Sequence, residues 1–182
     1  MTSRHKLKNT ADSASEYIVR GIEIADSEAM IEYLAAIAGE SDNLTFGPGE
    51  FSPTLEEEEG YIKAMLKAKN NLALVAVSGG RIIGNISFSG GTRSRLAHCG
   101  EFGISVLKEF WGRGVAAVLL RQMIEWARKN RITKINLKVK EDNLAAIKLY
   151  ESFGFETEGR LRREFKIDGT YFDAILMGLL ID

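Results

Sequence analysis

The hydrophobic and polar positions of this chain change period several times after residue 17, and each change predicts an element. Residues 17–24 alternate and read as a first strand. Met30, Ile31, Leu34, Ala35 and Ile37 then recur at helical spacing, which predicts a helix to about Gly39 capped by Asp26 or Ser27. Residues 39–53 have no period and contain Gly47-Pro48-Gly49, so they form a long loop and a candidate substrate wall. Thr54-Leu55-Glu56-Glu57 has the form of a capping box and opens a second helix to about Lys69, with Tyr61, Met65 and Leu66 inward. The acidic run 56–59 is read as carboxylates favoured by the helix dipole rather than as a cation-attracting patch. Strands at 72–77 and 81–89 are joined by the hairpin turn Ser78-Gly79-Gly80, and a loop at 90–95 leads to a strand at 97–107.

A helix over 115–129 turns Val115, Val118, Leu119, Met123, Trp126 and Ala127 to one face and Arg121, Glu125 and Arg128 to the other. A strand at 132–139, a short helix at 143–152 ended by Gly154, a strand at 155–160 and a last hairpin turning at Asp168-Gly169, with strands at 165–167 and 171–180, complete the chain. Hairpins mixed with strand–helix–strand steps predict an α/β fold whose sheet holds parallel and antiparallel pairs.

Composition narrows the setting. At 182 residues, 45% hydrophobic and 27% charged, the chain suits one domain over 16–182, preceded by a polar, mobile tail over 1–15. A net charge of -1 provides no basic excess for nucleic acid or an anionic membrane. Cys99 is the single cysteine, so no intramolecular disulfide forms; with only His5 and His98 beside it there is no His/Cys metal site, which suits a reducing cytoplasm. No apolar run approaches the roughly 20 residues of a membrane span, and the start, MTSRHKLKNT, lacks an apolar signal core.

Chemistry concentrates where an apolar strand runs into Gly112-Arg113-Gly114 and then a helix. Glycines let a ligand approach the backbone, and the first amides of a helix lack partners within it, so the stretch suits a phosphate-bearing ligand. Ala117 stands where a Gly-x-Gly-x-x-Gly fingerprint needs its third glycine, and no Gly-Lys-Ser/Thr follows, which excludes both common nucleotide loops. Taken alone, the stretch could equally be an ordinary tight turn. Asn143 and Tyr150, seven residues apart, lie on one face of the later helix; they are placed to flank one ligand, or else merely to cap and to pack.

These two stretches together resemble the GNAT family of N-acetyltransferases over about residues 17–180. In that family's Gln/Arg-x-x-Gly-x-Gly/Ala turn, Gly114 and Ala116 match the last two fixed positions, while Trp111 departs from the Gln/Arg. Asn143, Ala146, Tyr150, Gly154 and Phe155 match the later Asn-x-x-Ala-x-x-x-Tyr-x-x-x-Gly-Phe pattern. The resemblance implies a single-domain fold with a mixed, mostly antiparallel central sheet flanked by about four helices. It also implies direct transfer from acetyl-coenzyme A to the primary amine of a small molecule or a protein N-terminus.

On that reading Gly112, Arg113, Gly114, Val115 and Ala116 cradle the pyrophosphate, and Ile104, Ser105 and Val106 run beside the pantetheine arm. Asn143 joins the cofactor site, Tyr150 is the acid for the leaving thiolate and Glu101 the base for the amine. A phenol near pKa 10 suits a thiolate whose own acid is near 8.5, and an amine near 10.4 must lose a proton before it attacks. His98 and Cys99 are adjacent strand residues on opposite faces, which argues against a covalent route. The closing stretch from Gly159 to Asp173 looks like the branch of ribosomal-protein N-terminal, polyamine and antibiotic acetyltransferases. Glu50, Glu56 and Glu57 would suit a polyamine, an open groove a peptide. A homodimer is left open, and the competing class is a non-catalytic acyl-coenzyme A sensor.

Overall fold

A computed structural model describes residues 17–181, and the predicted 1–15 tail lies outside them. The described residues form β1 (Ile18–Gly21), α1 (Ser27–Ala38), α2 (Leu55–Lys67), β2 (Asn71–Ser78), β3 (Arg81–Gly90), β4 (Cys99–Val106), α3 (Val115–Lys129), β5 (Lys134–Lys140), α4 (Leu144–Ser152), β6 (Glu156–Ile167) and β7 (Thr170–Leu180). The strands make one sheet in the order β1-β2-β3-β4-β5-β7-β6, antiparallel throughout except for β4 beside β5.

Register decides which side chains meet which helices. Rows such as Leu74–Ile86–Ile104 and Leu72–Phe88–Phe102 share one face. That face is apolar and takes α3 and α4: the Phe88 ring meets Trp126 at 5.6 Å and Phe102 meets Tyr150 at 5.8 Å. Gly84 lies on the same face, and a Cβ there would come within 3.1 Å of Val115, so its absence lets the first turn of α3 seat against β3. Leu119, Leu120, Met123 and Ala127 are fully buried in that contact, the larger ones worth about 1.5–3 kcal/mol each. The predicted inward face of α3 thus holds at its centre, with Leu120 and Ile124 added and Val118 and Trp126 only half-buried.

The opposite face carries the rows Asn71–Ser89–Glu101, Ala73–Ser87–Gly103 and Val75–Asn85–Ser105. It lies under α1 and α2, yet its central positions are small or polar. Helices over such a floor leave a cavity rather than a packed core.

Several expectations need correction. The first strand is shorter, ending at Gly21 before a 3-10 turn at Ile24–Asp26. Asp26 precedes α1 but does not cap it, because its carboxylate takes the Arg20 guanidinium at 2.6 and 2.7 Å and the Glu23 amide at 2.8 Å. In α2 the capping box forms as read, but Tyr61 and Leu66 are exposed and the buried positions are Glu58, Ile62 and Met65. The two short strands expected at 155–160 and 165–167 are one long β6. Register shifts at 157–159 and 161–165, with Arg163 in the left-handed region at φ 58°, obscure its period.

Candidate active site

The parallel pair is the feature from which the site follows. Strands β4 and β5 pair only at Cys99–Lys134, Gly100–Ile135 and Glu101–Asn136. Beyond that point β4 continues to Val106 beside β3 alone and β5 continues beside β7 alone. Two strand edges therefore diverge inside the sheet. In an antiparallel ladder alternate residues bond the neighbour, and the Leu107 amide donates to the Ile83 carbonyl at 2.9 Å. Ser105, opposite Asn85, falls in the same set, so the backbone groups of Ile104 and Val106 turn the other way, into the gap. Of the strand residues read as lying beside an extended ligand, Ile104 and Val106 offer backbone groups. Ser105 does not, and its hydroxyl lies 2.8 Å from that of buried Tyr33 on α1. Burial raises the Tyr33 pKa and keeps that hydroxyl protonated.

The C-terminal end of β4 leads through a 3-10 turn, Lys108–Phe110, to the glycine stretch. Gly112 and Gly114 adopt φ 73° and 79°, conformations that L side chains rarely take, and no atom lies within 4 Å of a Cβ added at either. Packing does not demand glycine there; the backbone conformation does. The Val118 amide bonds the Gly114 carbonyl at 3.1 Å, which starts α3. Among the described residues the amides of Gly112, Gly114, Val115, Ala116 and Ala117 meet no acceptor. That is a ready anion cradle at the end of a 15-residue helix.

Arg113 is exposed, with its guanidinium 5.0 Å over the Phe110 ring, and its side chain does not line the cavity. Trp111 does: its indole nitrogen donates to the Val106 carbonyl at 2.7 Å. This bond pins the glycine turn to the β4 edge and removes one acceptor from the gap. The sequence carried only the departure at this position, not its use.

Asn143 caps α4, its side-chain oxygen accepting the Ala146 amide at 3.3 Å, and its side-chain NH2 group remains to face the cavity. Tyr150 is 7% exposed, edge-on to Phe102 and 5.9 Å from Phe155. Burial pushes its hydroxyl up to about 12, so it is a proton donor across the neutral range. Glu101 is exposed at the mouth of the polar floor, close enough to Lys138 to help raise that ammonium's pKa after Glu164, which bonds it at 3.0 Å. His98 is exposed, and the Cys99 thiol bonds the Leu96 carbonyl at 3.3 Å.

One cavity of about 1480 Å³ joins these parts: Glu101, Ile104–Val106, Gly112, Gly114–Ala116, Asn143 and Tyr150 all line it. A drug-sized ligand fills about 300–1,000 Å³, so two molecules can meet here. The remaining wall comes from α1, α2 and the loop 39–54, where the Phe46 and Phe51 rings lie tilted with centroids 5.3 Å apart.

Comparison with known proteins agrees with this geometry. The model of the acetyltransferase (GNAT) family matches residues 36–155. The L-amino acid N-acetyltransferase AaaT of Escherichia coli (strain K12) is 39% identical over 105 residues, 57% of this chain and 65% of that protein. The N-alpha-acetyltransferase RimI of Mycobacterium tuberculosis is 33% identical over 112 residues, 62% of this chain and 68% of that protein. The chain thus spans about two thirds of the length of these relatives. A crystal structure of a GNAT-family acetyltransferase from Streptococcus pneumoniae matches with a TM-score of 0.88 at 30% identity, over 91% of this chain and 99% of that one.

Proposed function

Because the chain belongs to the GNAT acetyltransferase family, we propose that it transfers an acetyl group from acetyl-coenzyme A to a primary amine, directly, within a ternary complex. The observation that carries this reading is the β4–β5 gap, with unpartnered amides at one end and the Tyr150 hydroxyl in the same cavity. The residues present fit the co-substrate, which supplies the activated thioester carbonyl. The amides of Gly112, Gly114, Val115 and Ala116 would hold its pyrophosphate, and the Asn143 NH2 group and the backbone edges of Ile104 and Val106 would hold the extended arm. Strain at that edge is unnecessary, since both strands already end their pairing before it.

The cavity brings the amine to the acyl group from the α1–α2 side, and holding two reactants in line supplies much of the acceleration. Glu101, at the mouth of the polar floor, takes the amine's proton, directly or through water. Tyr150 gives its own to the departing sulfur. The acceptor is a small amine or a peptide N-terminus; AaaT and RimI are named for an amino acid and for an α-amino group. A non-catalytic sensor would have no use for an unpartnered tyrosine hydroxyl in the cavity.

The direct test is release of free thiol from acetyl-coenzyme A with a panel of polyamines, amino acids, peptides and aminoglycosides, beside a calorimetric titration. Turnover with at least one amine is expected. Micromolar binding without turnover on the whole panel would replace the enzyme reading by the sensor.

A further inference from the structure

The acidic run at the start of α2 divides in an unexpected way. Glu57 closes the capping box on Thr54, Glu59 pairs with Lys63 at 2.6 Å, and Glu56 is exposed. Glu58 turns inward with Ile62 and Met65, one and two turns further along the same helix face. Its side chain lines the cavity and is 3% exposed, and among the described residues it has neither a hydrogen-bond partner nor an ion pair. Burial raises its pKa, with no compensating group. The carboxylate is thus held in an apolar surround and open only toward the cavity, a position that a helix could fill with almost any apolar residue.

The charge of the whole cavity points the same way. Among the described residues Glu40, Glu50, Glu57, Glu58, Glu101 and Glu164 line it, against one lining cation, Lys138, which Glu164 already pairs. Glu40 accepts the Lys108 amide, Glu50 the Gly47 amide, and Glu57 belongs to its cap. Glu58 and Glu101 are left for a ligand. They stand on different sides of the chamber, Glu101 on the sheet floor and Glu58 on the helix that roofs it. Aromatic and aliphatic side chains, among them Leu34, Leu44, Phe46 and Phe51, line the same chamber.

Resting on the acetyl-transfer reading, we propose that Glu58 anchors a second positive charge on the acceptor, so that the amine acetylated here is a diamine or longer polycation with an alkyl spacer. One ammonium would sit on Glu58 with its spacer against the apolar wall, while the other amine reaches Glu101. A zwitterionic amino acid fits less well, since its carboxylate would enter a cavity whose described lining holds six glutamates and one paired lysine. Glu58 is a specificity-determining residue, with no part in the proton transfers.

The test compares 1,4-diaminobutane with n-butylamine, of equal length and one charge fewer, as acceptors for the full chain with acetyl-coenzyme A. The wild type should favour the diamine in kcat/KM by at least tenfold. Glu58→Gln should bring that ratio to within about threefold of unity, through KM rather than kcat, and Glu58→Asp should keep part of it. Glu58→Met serves for the same comparison if the glutamine variant does not fold. Equal use of both amines by the wild type, a ratio retained in the variants, or an L-amino acid preferred to either amine would overturn the proposal. If no amine releases thiol, the acetyl-transfer reading fails while calorimetric binding of the diamine still tests Glu58: at least tenfold weaker binding in Glu58→Gln supports the anchor, and equal affinity removes it.

Discussion

The two halves of the cavity are built from different materials. On the α3–α4 side the groups facing the cavity are mainly backbone: the amides after Gly112, the edges of Ile104 and Val106, and the cap residue Asn143. On the α1–α2 side they are side chains, carried by a loop, two helices and the floor of the sheet. A backbone site requires particular φ values and a helix start, and it recognises what every molecule of a cofactor has in common. A side-chain site can exchange each group without disturbing the fold, which suits the part of an enzyme that selects its acceptor.

If that division is right, the largest single effect should come from the backbone half. Gly114→Asp places a carboxylate among amides shaped for an anion, at a φ of 79° that aspartate tolerates at a cost of about 1 kcal/mol. Loss of two charge-assisted bonds of about 1.5–3 kcal/mol each would weaken acetyl-coenzyme A binding about 10²–10⁴-fold. The melting temperature should fall by only a few degrees, because no atom lies within 4 Å of the added Cβ. Unchanged affinity by calorimetry would place the pyrophosphate elsewhere.

Tyr150→Phe should come next, with kcat reduced roughly 100-fold or more and the KM for acetyl-coenzyme A nearly unchanged. The acid is competent below its pKa, and burial holds that pKa at about 12. With amine saturating, wild-type kcat should therefore show no fall between about pH 8 and 10 from loss of this proton. A descending limb near pH 10, abolished in Tyr150→Phe, would contradict the buried environment.

The same division explains what the sequence disclosed. Gly112, Gly114, Asn143 and Tyr150, which line one cavity, stand out by local spacing, but only the family resemblance joins them into one candidate site; α3 is legible to its ends because its apolar stripe is long and regular. The sheet order and the β4–β5 divergence are not, since they depend on which strands pair beyond Glu101 and Asn136. Strand β6 was read as two because its bulges break the period of two. The acceptor half was least legible. Glu58 lies in an acidic run that the helix dipole explains well, and of the buried face Glu58–Ile62–Met65 the sequence reading has only Met65 inward, beside Tyr61 and Leu66, which are exposed. Asn85, Ser87 and Ser89 alternate like the solvent face of a strand, while Asn85 and Ser87 are in fact partly buried beneath α1 and α2 on the floor of the cavity.

Glu101→Gln tests the boundary between the halves. If Glu101 takes the amine's proton, kcat/KM for the amine should fall about tenfold at pH 6, where nearly all the amine is protonated, and less at pH 9. Equal activity at both values would leave deprotonation to water or the floor serines.

Trp111→Phe should have the smallest effect, and it asks whether a side chain contributes to the backbone half at all. The indole bond to Val106 is a neutral one at a half-exposed tryptophan, worth about 1 kcal/mol. Losing it frees the Val106 carbonyl and loosens the glycine turn, so the KM for acetyl-coenzyme A should rise about three- to tenfold with kcat for the amine within twofold. A larger rise would make Trp111 a direct contact of the cofactor rather than a brace for the strand edge. No rise would mean that the glycine backbone holds its shape unaided.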